Sequence, residues 1–275
     1  LQTEKAPWNI HFQRLAETFL TRKQSFTSVI APGEFLYDDV FDNSGEHAAM
    51  QAASVFLSML WPDSSRTFNI TPVDELKGQP GVEEYFRFVT RQVQRYMDKP
   101  RAGLLIALQE FEIDMQVFGT AGVGAFDGPD ESTPVVYEAW GVKNMCISEN
   151  AQGFVDMIYT SDKRTVRQVV EEYGPTNVHA SVLKKYQEGK YEDKIEVLKV
   201  LEPRPVNDRA NARGEFVEGP LGMATRTLHI DCENKTVMRE SGYAEFPVAV
   251  GRAIKTVGEK YGRSPAMIAL PDACS

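Results

Sequence analysis

The feature that most constrains this chain is a change of period at Gly119. Before it, apolar residues recur at three- and four-residue steps; after it, they alternate in short runs bounded by turn residues. The first half therefore reads as helices and the second mainly as strands. Ile10, Leu15, Phe19 and Leu20 give a loose apolar face between Trp8 and Ser25. Asn43 or Ser44 caps a second helix that runs through Trp61 and stops at Pro62. The third has the clearest pattern, with Val82, Tyr85, Phe86, Val89, Val93, Tyr96 and Met97 on one face and Glu83, Arg87, Arg91 and Arg95 on the other. A fourth, Gly103 to Phe118, is apolar almost all round, as expected of a helix packed on several sides.

Beyond Gly119, strands are predicted at Val135 to Trp140, Lys143 to Ser148 and Phe154 to Thr160, the last two forming a hairpin around Asn150-Ala151-Gln152-Gly153. A helix capped by Ser161 or Asp162 and closed by Gly174-Pro175 follows. Strands resume at Ile195 to Leu201, Thr225 to Asp231 and Thr236 to Arg239, with a tight turn at Glu233 and Asn234. The segment Pro203 to Met223 has no period and reads as a long functional or mobile loop. Helices followed by strands without βαβ alternation give an α+β class: a helical N-terminal half, residues 1–119, packed on a small, mostly antiparallel sheet within 120–262. No firm linker separates the halves.

Bulk properties narrow the function. A hydrophobic content of 42% supports a buried core, and no apolar run approaches the roughly 20 residues of a membrane-spanning helix. Cys146, Cys232 and Cys274 are too far apart for a Cys-x-x-Cys zinc or redox motif, which suits a reducing compartment. The net charge of −9 argues against general phosphate binding. Leu1 at the start and Cys274-Ser275 at the stop read as cropped ends.

Several chemical motifs fail on context. Gly119, Gly122 and Gly124 resemble a phosphate loop, but a helix precedes them and a strand follows, the reverse of a nucleotide motif. They read as a helix stop with close backbone packing. A nucleotide-binding enzyme using that loop is the rival function. The acids Asp38, Asp39, Asp42 and Glu46 with His47 fail the calcium-loop pattern, since Val40 falls where the first ligand belongs; they read as acids at a helix start. Glu110 and Asp114 share a helix face and read as solvent, ion-pair or subunit contacts, with Glu112 elsewhere. His11, His47, His179 and His229 form no HExxH, and there is no Gly-x-Ser-x-Gly elbow. Arg204, Arg209 and Arg213 are interleaved with Asp208, Glu215 and Glu218, as in a salt-bridged loop. No catalytic, metal or cofactor site is predicted.

The most specific stretch is near the end. Phe246-Pro-Val-Ala-Val and Arg252 precede Gly258, Glu259, Tyr261, Gly262, Arg263, Ser264 and Pro265. Gly258 and Gly262 permit a tight turn, Ser264 is a good N-cap, and Pro265 suits the first position of a helix. Pro271-Asp272 is a second helix-start signal. The order of these residues resembles podovirus portal proteins, the head-to-tail connectors of short-tailed phages, where a buried strand leads through such a turn into a long stem helix. The helix Gln51 to Trp61 followed by Pro62 and an extended 66–71, the helix ending at Phe118-Gly119, and the hairpin Cys146 to Thr160 are family-like in the same order.

The resemblance implies that residues 1–262 are a portal wing and 263–275 the start of a stem helix. It implies a ring of about twelve copies at one capsid vertex of the virion, assembled in the host cytoplasm, around a channel for double-stranded DNA during packaging and ejection. Its partners would be the capsid protein, the terminase motor and a tail adaptor, with no membrane, no cofactor and no enzymatic activity. Another virion structural or adaptor protein is the remaining alternative. On this reading Arg87, Arg91 and Arg95 form a possible subunit-contact face.

Overall fold

The computed structural model describes residues 2–20, 25–27, 43–62, 67–209 and 219–273. These form two compact units, one of 1–6 and 142–247, the other of 7–141 and 248–275. The class is α+β, as the change of period predicts, but there are two antiparallel sheets rather than one.

The unit containing 7–141 holds most of the helices. α1 spans Gln2–Phe19, so it begins well before Trp8 and carries Pro7 inside it. Its Phe12, Leu15, Ala16 and Phe19 are buried. α2 is Ser44–Leu60, α3 Val82–Met97 and α4 Leu104–Phe118, close to the sequence boundaries. β1, Thr120–Asp130, lies between β2, Thr133–Gly141, and β8, Val248–Arg252, in a three-stranded sheet. α7, Pro265–Ala273, follows. Residues 67–71 join neither sheet, against the expected wing strand; Ile70 N instead donates to Thr90 Oγ1 at 3.1 Å.

α4 is amphipathic in an unexpected sense. Glu112 and Asp114 are both buried, so the face expected to meet solvent through Glu110 and Asp114 is split. Burial raises the Glu112 carboxyl above its ordinary range. Asp114 fits because Gly141 of β2 has no side chain: a Cβ there would stand 2.8 Å from Asp114 Oδ2.

The second unit is built on the sheet β3-β4-β5-β6-β7, in which neighbours in sequence pair as antiparallel neighbours. Its strands are Met145–Glu149, Val155–Thr165, Lys194–Pro203, Thr225–Asp231 and Thr236–Tyr243. The Asn150 turn forms as predicted, with Asn150 Oδ1 accepting from Gln152 N and Phe154 N. The helix expected at Ser161 starts later. Ser161 through Thr165 keep their ladder partners Leu198 through Lys194, so α5 spans Val166–Tyr173 and is capped by Thr165 in a reciprocal box with Gln168. α6, Ala180–Gln187, carries no strong sequence signal and was not predicted. Val166, Val169, Tyr173, Val182, Ile195 and Val197 form the core between helices and sheet.

Candidate functional site

The family-like turn is bonded and packed against the end of α4. Gly119 closes α4 in the left-handed region, φ 74°, with its N–H donating to Asp114 O and Met115 O. The chain then enters β1. β8 pairs with it in the register Thr120 to Arg252, and Ala253 N donates to Gly119 O at 2.9 Å. From there residues 254–263 form a loop closed by two bonds, Ile254 N to Arg263 O and Arg263 N to Ile254 O. Gly258, φ 86°, turns this loop.

The returning strand crosses α4 backbone to backbone. A Cβ on Gly119 would lie 2.5 Å from the Arg263 carbonyl carbon, and one on Gly262 would strike Gly119 O and come within 2.9 Å of Arg252 Cβ. Glycine is required on both sides of this crossing. Gly262 N donates to Thr120 Oγ1 at 2.8 Å, so the crossing is bonded as well as close.

One residue later, Ser264 does two jobs with one hydroxyl. Its Oγ donates to Val117 O at 2.7 Å, satisfying a carbonyl at the end of α4, and accepts from Met267 N at 3.0 Å, capping α7. Ser264 is fully buried. Pro265 is the first residue of α7, where its missing N–H costs nothing. Pro271, read as a second start, lies inside the same helix.

Side chains complete the joint. Tyr261 is buried against Trp8 and Phe12, at ring separations of 5.7 and 6.1 Å, and Phe12 packs edge-on to Phe118 at 5.8 Å. The Arg263 guanidinium lies over the Trp8 ring and donates to both oxygens of Glu259. That hydrogen bond holds the Glu259 carboxyl below its usual range. Every residue singled out from Gly258 to Pro265 thus belongs to one structure. Thr120 and Val117 O, which receive it, were missed, because a backbone carbonyl and a strand threonine carry no sequence signal.

The other candidates separate cleanly. The backbone of Ala121–Gly124 is paired with β2 on one side and β8 on the other, so it offers no cradle of free N–H groups to a phosphate. Arg204 is buried and internal: it bonds Leu221 O and pairs with Glu240 at 3.0 Å, while Arg209 donates to Arg204 O. The expected salt bridging holds for Arg204, but with Glu240 of β7 and in a buried place rather than within a solvated loop; Arg213, Glu215, Glu218, Asp38, Asp39 and Asp42 lie outside the described residues. Among the described residues no three His, Cys, Asp or Glu side chains are grouped to hold a metal. His229 is accounted for by packing, its Nδ1 2.8 Å from Tyr173 OH; burial, then Lys199, Arg239 and Arg164, hold its pKa down at about 3. Arg87, Arg91 and Arg95 are exposed on α3, Arg87 beside Glu83.

The joint fixes the exit of one helix from the end of another. The family described as bacteriophage head to tail connecting protein matches residues 1–275. The chain belongs to that family. It is 26% identical over 276 residues to a probable portal protein of Bordetella phage BPP-1, covering 99% of this chain and 48% of the relative. It is 24% identical over 275 residues to a portal protein of Salmonella phage epsilon15, covering 98% of this chain and again 48% of the relative. The chain thus spans about half the length of the curated family members it matches.

Proposed function

We propose that this chain is a structural subunit of a phage portal: a ring of about twelve copies at one capsid vertex through which the genome is packaged and ejected, and to which the tail attaches. The observation that carries the reading is the family match along the whole chain, 1–275. The joint supports it, because it launches α7 from a crossing locked by Gly119, Gly262 and Ser264. Residues 1–262 act as the wing and 263–275 as the start of the stem helix. Partners on this reading are further copies of the chain, the capsid protein, the terminase motor, a tail adaptor and double-stranded DNA in transit, in the virion after assembly in the host cytoplasm. The role is structural and not enzymatic.

Charge suits a conduit. With a net charge of −9, many copies around a channel repel the duplex more than they hold it, whereas a basic wall would bind phosphates and slow translocation. The test is electron microscopy and mass photometry of the full-length protein. A closed ring is the expected result, and a strictly monomeric protein overturns the reading.

A further inference from the structure

α3 is strongly amphipathic in sequence, yet of its residues only Thr90 is buried. Its outward side is unusual for a solvated helix. Arg87, Arg91 and Arg95 stand at four-residue steps, so they form one stripe along the helix. Beside them Phe88, three residues before Arg91, is 51% exposed. Arg87 is engaged by Glu83 across 3.5 Å, with both side chains largely in solvent. Arg91 and Arg95 have no partner among the described residues. Arginines beside an exposed aromatic ring are a composition that protein interfaces concentrate and that lysine- and glutamate-rich solvated helices lack.

The same unit carries a complement. The end of the β1–β2 hairpin exposes Asp127, Asp130 and Glu131. Asp130 is occupied internally, accepting from Ser132 Oγ and Thr133 N and facing Arg101 at 4.0 Å. Asp127 and Glu131 have no partner among the described residues.

We infer that the Arg91–Arg95 stripe of α3, with Phe88, docks on the Asp127–Glu131 hairpin end of a second copy of this chain. The inference rests on the ring reading and gives it a surface. On the ring reading the contact is heterologous: each copy uses its stripe toward one neighbour and its hairpin toward the other. Such contacts close into rings when the rotation permits. The Phe88 ring excludes water beside the charges, which lets an exposed arginine row contribute more than isolated surface pairs do.

The test compares three full-length proteins by mass photometry over a concentration series: wild type, Arg91→Glu/Arg95→Glu, and that variant with Asp127→Arg/Glu131→Arg added. Charge reversal is expected to raise the assembly midpoint at least about tenfold, because like charges then face each other, and the added swap is expected to bring it back toward wild type. Unchanged tryptophan-monitored unfolding shows that each variant is folded. A wild type that assembles while the reversed variant does so equally well overturns the inference and leaves the ring reading standing. Failure of the swap to restore assembly also overturns it. So does a result in which reversal spares assembly and instead abolishes binding of a labelled DNA duplex, which would assign the stripe to phosphates. A wild type that never assembles overturns the ring reading itself.

Discussion

The joint at Gly119–Gly262 and the outward side of α3 belong to the same unit, and both were singled out in the sequence for their residue order. They differ in where their partners are. At the joint, the key donors and acceptors are met inside the chain: Gly262 N by Thr120, Val117 O by Ser264, Met267 N by the same hydroxyl, Arg263 by Glu259. On α3, Arg91, Arg95 and Phe88 stand outward, the two arginines without a partner among the described residues. Substitutions at the joint should therefore be read out in the stability of the single chain, and substitutions on α3 in its association. Trp8, Trp61 and Trp140, the three tryptophans, all lie in the unit that holds both regions, so intrinsic fluorescence reports on that unit alone.

The largest effect is expected from Gly262→Ala or Gly119→Ala. Each forces a Cβ into backbone rather than into a flexible side chain, and at Gly119 it also imposes a left-handed conformation on a residue that resists it. A loss of about 3 kcal/mol or more is expected in urea unfolding followed by tryptophan fluorescence. A loss within experimental error would mean that the crossing opens at little cost, and the contrast with α3 would disappear.

Ser264→Ala should cost about 2 kcal/mol in the same measurement, since it strands Val117 O and Met267 N together in a buried place. Ser264→Thr, which keeps the hydroxyl, should recover part of it. Equal losses for both would point to overpacking rather than to the shared hydrogen bond.

His229 extends the comparison to the five-stranded sheet, where another group is satisfied internally. Its ring is neutral when folded, with a pKa near 3, against about 6.5 in the unfolded chain. Between those values the unfolded state binds the extra proton, so stability falls as pH drops from about 6.5 toward 3 and is fully present above 6.5. Because the ring is partly solvated, roughly 1–2 kcal/mol of that loss is expected between pH 6.5 and 4.5. Hydrogen exchange of the β6 amides should show it in the wild type and not in His229→Gln. An identical pH dependence in both would assign the acid sensitivity to other groups.

How far the sequence reveals the fold follows the same division between local and distant causes. α2, α3 and α4 are legible to within a residue or two because period, caps and glycine stops are local signals. The start of α5 is not, since Ser161 and Asp162 are plausible caps that the β5 ladder overrides by continuing to Thr165. α6 lacks a strong pattern, and the burial of Asp114 depends on a glycine in β2 that no local pattern links to α4. At the joint, the glycines, the cap and the proline could be read, whereas their receptors at Val117 and Thr120 are supplied by the tertiary fold.

The smallest expected effect is the most discriminating. Arg91→Ala/Arg95→Ala should leave the tryptophan-monitored stability of the dissociated chain within about 0.5 kcal/mol of wild type, because neither side chain has a bond to lose among the described residues and both are exposed. The same variant should weaken association, by less than the charge-reversed protein does, since truncation removes an attraction without adding a repulsion. A marked loss of stability in the dissociated chain would show that α3 uses these arginines internally, and the two regions would then differ in degree and not in kind.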